Sequence, residues 1–176
     1  RVNAHPPGGV GLPTGERGFT AIEFVAALTA TAFIAALGVS AFRTYTVRSQ
    51  IAQGLSLTST VQHRVAQAFR AAGVPPANRA EASMPSDARV NPHHLASINV
   101  VNGRIDLLFA SSADPAIAGR ILSLTPFETA EQEIIWICGN AIPGVGLTPL
   151  GFADGGNQAV QALTTIETRY LPLTCR

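Results

Sequence analysis

Residues 24–42 carry no charged side chain, and only Thr29, Thr31, Gly38 and Ser40 interrupt their apolar character. At about 1.5 Å per residue, such a run predicts a helix about 28 Å long, close to the ~30 Å hydrocarbon core of a bilayer. The Thr and Ser hydroxyls within it can bond back to the helix's own carbonyls. Beyond it the pattern changes without stopping. Val47, Ile51, Leu55, Thr58, Val61, Val65, Phe69 and Ala72 recur at spacings of three and four, while Arg48, Gln53, Gln62, Arg64 and Arg70 fill the other faces. That is one dry stripe on an amphipathic helix, ended by Gly73 and then Pro75-Pro76. The predicted spine covers residues 19–72, apolar all round in its first half and one-faced in its second.

Residues 75–92 are rich in Pro, Ala, Ser, Asn and Arg and have no apolar period, so they predict a loop on the surface of a globular head. A strand pattern then takes over in 98–101 and 104–109. Asn102-Gly103 between them is the strongest short hairpin signal, because a type I′ turn needs two positive φ angles. Residues 121–125 and 133–138 predict two further strands. Four antiparallel strands can bury one face against the helical stripe, so the expected fold class is α+β: a long N-terminal α-helical spine packed on a four-stranded antiparallel sheet.

A chain of 176 residues holds one core beside a membrane helix, but not comfortably two. Its Lys and Arg total is made up of Arg alone: 12 Arg face 11 Asp and Glu, and setting aside Arg1, Arg17 and Glu16 leaves ten of each after residue 18. Balanced charge gives no bulk support for nucleic-acid binding. Cys138 and Cys175 are too far apart for a CxxC metal or redox signature. In an exported domain a disulfide is the natural reading, with two buried free thiols as the alternative.

Arg17-Gly18-Phe19-Thr20-x-Ile22-Glu23, set directly before the bilayer-length run, resembles the class III signal of type IV pilins and related pseudopilins. The resemblance implies that a prepilin peptidase cuts between Gly18 and Phe19, that the new amine of Phe19 is N-methylated, and that Glu23 serves assembly. The apolar run continues into more helix-forming sequence instead of ending in a small-residue cleavage site, so it is expected to be kept. Farther on, a hairpin is followed by Ala118-Gly119-Arg120-Ile121-Leu122-Ser123-Leu124-Thr125-Pro126, Trp136-x-Cys138 and Tyr170-Leu171-Pro172-Leu173-Thr174-Cys175-Arg176. That order is similar to type IVa pilins and implies a carboxyl-terminal disulfide loop over 138–175 within a head of 73–176. In register, the family's mid-membrane glycine falls on Ala32 and its helix-breaking proline on Ser40, which leaves Gly38 as the weak point of the helix. Residues 1–18 are then a leader to be removed. They exceed the usual length, lack an initiating Met and are rich in Pro and Gly, so we expect disorder and a start displaced from the natural one.

Glu23 is the one carboxylate at the head of the apolar run. At depth in a bilayer it costs about 2.5–3.5 kcal/mol, and less at the headgroup boundary, where a plain interfacial glutamate would sit. In an apolar filament core it could pair with the freed amine of Phe19 on a neighbouring subunit, which would favour one axial register. Other candidates read more plainly. His93-His94 point to opposite faces if extended and have no third ligand spaced nearby, so they predict an exposed loop pair and not a metal site. Residues 151–156 lack the Lys-Ser/Thr end of a phosphate loop. Glu128, Glu131 and Glu133 predict a solvated turn, not a calcium site. Trp136 predicts core beside Cys138, and no nucleophile elbow surrounds any Ser.

These readings converge on a non-enzymatic structural subunit without cofactor or metal. The resemblance implies a single-pass inner-membrane protein, cut by the prepilin peptidase and methylase, and assembled by a pilus platform with identical pilin subunits. The resulting extracellular fibre would serve adhesion to a host surface, twitching motility or DNA uptake. A minor pilin or a type II secretion pseudopilin is the alternative within the family. A membrane-tethered ligand- or DNA-binding module that never polymerises is the alternative outside it.

Overall fold

The computed structural model describes residues 18, 20–85, 94–152 and 156–176. The chain separates into two compact units, one up to Ser40 and one from Ala41 to Arg176. Helix α1, Ala21–Ala72, carries the first and opens the second. In the first unit Ile22, Phe24, Val25, Leu28, Phe33, Ile34 and Val39 are each more than half exposed. The Thr29 hydroxyl donates to the Ala26 carbonyl at 2.9 Å and that of Thr31 to Ala27 at 2.7 Å, so neither faces apolar surroundings unsatisfied. A helix apolar on every side needs lipid or other apolar helices around it.

The second unit is a sheet laid on the rest of α1. Strands β1 (Leu95–Val101), β2 (Arg104–Phe109), β3 (Ile121–Glu128) and β4 (Ile134–Cys138) run antiparallel in the order β1-β2-β3-β4. A further strand, β5 (Thr148–Pro149), pairs with the end of β3, so the four-stranded sheet gains a short fifth member. Two residues are too few for alternation to be legible. β3 also outruns its expected end at Thr125 and passes through Pro126, whose carbonyl accepts the Leu150 amide at 3.1 Å.

Both turn residues of the β1–β2 hairpin have positive φ, 49° at Asn102 and 80° at Gly103, as a type I′ turn requires. Their amides donate to Ala77 and Pro76 at 3.1 and 2.8 Å, which ties the hairpin tip to the segment after the helix. That segment lies closer in than a plain surface loop: Pro75, Pro76 and Ala82 are buried, while residues 86–93 fall outside the described residues. Gly73, at φ 74°, ends α1 with its amide bonded to the Phe69 carbonyl at 2.8 Å, a left-handed cap.

Val47, Ile51, Val61 and Val65 from the stripe meet Ile98, Val100, Ile105, Leu107, Phe109, Leu122 and Leu124 from the sheet in one core. Gly54 lies on the same contact. A Cβ there would stand 3.3 Å from Leu107 Cδ2, so the missing side chain lets helix and sheet approach closely. Gly54→Leu should therefore overpack the seam at a cost of about 1–3 kcal/mol. The check is the midpoint of chemical denaturation of the detergent-solubilised chain, and an unchanged midpoint would contradict so close an approach.

Candidate functional site

At the amino-terminal end of α1, the amide and the hydroxyl of Thr20 each donate to Glu23 Oε2 at 2.8 Å. The Glu23 amide answers to Thr20 Oγ1 at 3.4 Å, and the Phe24 amide donates to the Thr20 carbonyl at 3.1 Å. This is a capping box: two residues three apart satisfy each other's backbone amides at the start of the helix, with the carboxylate at the positive end of the helix dipole. Thr20-x-x-Glu23 spells that box in the sequence, a signal missed when the carboxylate is weighed as a charge alone. Glu23 makes no ion pair among the described residues. Gly18 is exposed, with open space where a Cβ would stand, and Phe19 lies outside the described residues.

At the other end of the chain, Cys138 and Cys175 form a disulfide across 37 positions, with 7% and 1% of each residue exposed. Gly139, at φ 58°, turns the chain under the Cys175 carbonyl, which also accepts the Asn140 amide at 3.1 Å. Within the described part of this loop, β5 and one 3-10 turn at Leu173–Cys175 are the regular structure. Guanidinium groups hold much of the remainder by its carbonyls. Arg48 on α1 donates twice to Arg169, at 3.0 and 2.6 Å, Arg104 on β2 donates to Val160 at 2.9 Å, and Arg120 donates to Thr165 at 2.6 Å.

Arg104 is itself fixed by two 2.8 Å bonds to Asp106, which also accepts the Ser123 hydroxyl at 2.7 Å. The bonds to Asp106 raise the pKa of Arg104 from its already high value, against the opposing effect of partial burial. No periodic pattern in sequence marks an arginine that serves a carbonyl, so these contacts went unread.

The remaining candidates take structural places. Trp136 is half-buried against the core that contains Cys138. Glu128 ends β3, and Glu131 and Glu133 follow in a turn where the Thr129 hydroxyl accepts both their amides at 3.2 Å. Among the described residues no three His, Cys, Asp or Glu side chains come together as metal ligands. His94 Nε2 is buried without a hydrogen-bond partner, and His93 lies outside the described residues. Gly151, at φ 83°, packs where a Cβ would stand 2.6 Å from Pro75, while residues 153–155 fall outside.

A bare apolar helix joined to a head closed by a disulfide is what a structural building block needs. The chain belongs to the pilin family of bacterial filament proteins, whose pattern matches residues 47–176. It is 27% identical over 171 residues to a fimbrial protein of Neisseria meningitidis serogroup A, covering 94% of this chain and 96% of that one. With a type IV major pilin protein PilE1 of Neisseria gonorrhoeae it shares 28% over 169 residues, 94% of this chain and 89% of the relative. The likeness to type IV pilins thus spans both ends of the molecule, and the role is that of a structural subunit of a pilus.

The bond between Cys138 and Cys175 closes a loop that chain-entropy reasoning values at about 3–4 kcal/mol. Each arginine–carbonyl bond that would remain contributes less, about 1.5–3 kcal/mol at most. Cys138→Ser should therefore raise protease cleavage within 139–169 while cleavage of the β1–β2 hairpin stays slow. A mutant loop that resists protease as well as the wild type would show that the arginine contacts suffice.

Proposed function

We propose that this chain is made as a prepilin, cut between Gly18 and Phe19, methylated on the new amine, and held in the inner membrane by residues 24–42 until it is polymerised with its own kind. The observation that carries the reading is an apolar first half of α1 whose described side chains all stand exposed, headed by one carboxylate. In the membrane, lipid covers that helix. In a fibre, the same helices of neighbouring subunits cover it. Glu23 can serve both settings, because both Thr20 donors use Oε2 and a carboxylate has about four acceptor positions. On this reading Oε1 would take the methylated amine of a neighbouring Phe19 while the cap stays made. In an apolar fibre core an unpaired carboxylate is heavily penalised, so this pairing favours one axial register.

A prepilin peptidase with methylase activity and a pilus assembly platform are the partners this route requires. The finished extracellular fibre would serve attachment to a surface, twitching motility or DNA uptake. Its exposed heads would decide among them.

Intact-mass measurement of membrane-purified protein should find a chain that begins at Phe19 and carries one extra methyl group. Gly18→Val should keep the leader, since a branched side chain fills the space the peptidase leaves for a hydrogen. Wild-type protein that retains residues 1–18 would sink the processing step.

A second prediction separates the charge of Glu23 from its cap. Glu23→Gln keeps an acceptor for Thr20 but cannot pair with an ammonium, so the subunit should fold and insert while fibre yield falls relative to membrane-held monomer. Glu23→Ala should impair assembly as well. Normal fibres from Glu23→Gln would show the charge pair to be dispensable.

A further inference from the structure

After Glu23, helix α1 carries no Asp or Glu, while Arg43, Arg48, Arg64 and Arg70 give it four permanent cations. Two of these follow closely on the apolar run that ends at Phe42. At 3.6 residues per turn, Arg43 and Arg48 stand about 140° apart around the helix axis, and Tyr45 lies about 60° beyond Arg48. Phe42 is 70% exposed and Tyr45 72%. The first turns after the run thus bear cations and aromatic rings on several sides, in addition to the dry stripe that opens with Val47.

Two loops of the head reach the same stretch of α1. Arg48 donates to the Arg169 carbonyl at 3.0 and 2.6 Å, which pins Arg169 and Tyr170 beside the helix, and the Arg169 guanidinium lies over the Tyr170 ring at 5.8 Å. The β2–β3 connection is held by Asp114, whose amide donates to Gln50 Oε1 at 3.1 Å and whose carboxylate stands 3.5 Å from Arg43. Neither Arg43 nor Arg169 is used up by these contacts. Asp114 Oδ1, the oxygen that Arg43 reaches, also accepts the Ala116 amide at 2.9 Å, and the Arg43 side chain stays 58% exposed. Arg169 meets Glu167 at 2.7 Å with 70% of its side chain in solvent, and an ion pair so exposed holds weakly.

We propose that Arg43 and Arg169, with Tyr45 and Tyr170, form a collar that binds the phosphates of anionic phospholipids in the leaflet where the apolar run of residues 24–42 ends. The proposal rests on the reading of that run as the membrane anchor and adds which lipid its outer flank selects. Continuity and charge point to this occupant. Arg43 is the next residue after the run, and Arg48, which holds Arg169, comes only about 9 Å beyond Phe42 along the helix. The headgroup layer on each side of a bilayer is about 5–8 Å deep, and arginine side chains extend along apolar surface to reach it. The guanidinium fork matches a phosphate with two parallel bonds, and tyrosine rings settle at the same depth. Membrane proteins usually gather Lys and Arg on the cytoplasmic side, so arginines on the translocated flank call for a use in that place. Phosphatidylcholine brings a cation of its own that these arginines would have to displace, whereas phosphatidylglycerol does not.

The test places the membrane-purified chain in vesicles of phosphatidylglycerol and phosphatidylcholine in equal amounts, extracts it in a mild neutral detergent, and counts by native mass spectrometry the lipids that stay bound. Wild type should keep phosphatidylglycerol in preference to phosphatidylcholine. Arg43→Gln and Arg169→Gln should each weaken that preference about fivefold, the worth of one basic residue at an anionic surface. Arg169→Gln leaves in place the carbonyl that Arg48 holds, so the loop keeps its tie to α1. Glu167→Gln should strengthen the preference, since it removes the carboxylate that competes for Arg169. Arg70→Gln, the same loss of charge in the last turn of α1, should leave it unchanged. No preference in wild type, an equal loss from Arg70→Gln, or no gain from Glu167→Gln would overturn the proposal. So would a double variant, Arg43→Gln with Arg169→Gln, that keeps its lipid yet fails to build fibres, because the collar would then serve a neighbouring copy. A wild-type chain that does not float with the vesicles would instead overturn the membrane reading on which this one rests.

Discussion

The seam between the dry stripe of α1 and the sheet is the contact on which the remainder of the subunit depends. Val47, Ile51 and Val65 on the helix, and Ile105, Leu107 and Leu122 on the strands, are fully buried. Each contributes about 1.5–3 kcal/mol by leaving water, before the conformational entropy of ordering the chain is set against it. Gly54 keeps the approach close, the Gly73 cap stops the helix where the stripe runs out of sheet, and the hairpin tip binds the chain that leaves it. The same helix bears, before Ser40, side chains for which the subunit provides no cover. One continuous element thus carries a part that is complete by itself and a part that is complete only in lipid or among copies.

The disulfide loop answers a different difficulty. It covers the sheet face that the helix does not, yet little of it is regular enough to satisfy its own backbone. Ordering each such residue costs roughly 1–2 kcal/mol of chain entropy. The Cys138–Cys175 bond cuts that cost by restricting the unfolded chain, and Arg48, Arg104 and Arg120 take up carbonyls that no ladder reaches. Ser123 and Thr125 are buried in β3 for the same reason: a strand covered on both faces hides its polar residues as well as its apolar ones.

Much of this was legible in the residues because it follows from period and turn chemistry. The spacing of Val47, Ile51, Val61 and Val65 set out the stripe, Asn102-Gly103 the hairpin, and Gly73 the helix end. β5 and the passage of β3 through Pro126 were not legible, since pairing across the chain imposes them and their local sequence does not. The arginine contacts belong to the same kind, because a carbonyl acceptor leaves no trace in a side-chain pattern. The Thr20–Glu23 box was written plainly and calls for a different reading of the site: Glu23 is at once a helix cap and a candidate assembly charge.

The central claim is that residues 24–42 find in a fibre the cover they lack in the subunit. A cryo-electron microscopy map of sheared surface fibres tests it directly. The account predicts density for this chain, with those helices bundled about the fibre axis, Glu23 inside the bundle, and the sheet and disulfide loop outside. A fibre of this chain with that segment on its outer surface, or with heads at the axis, would contradict it.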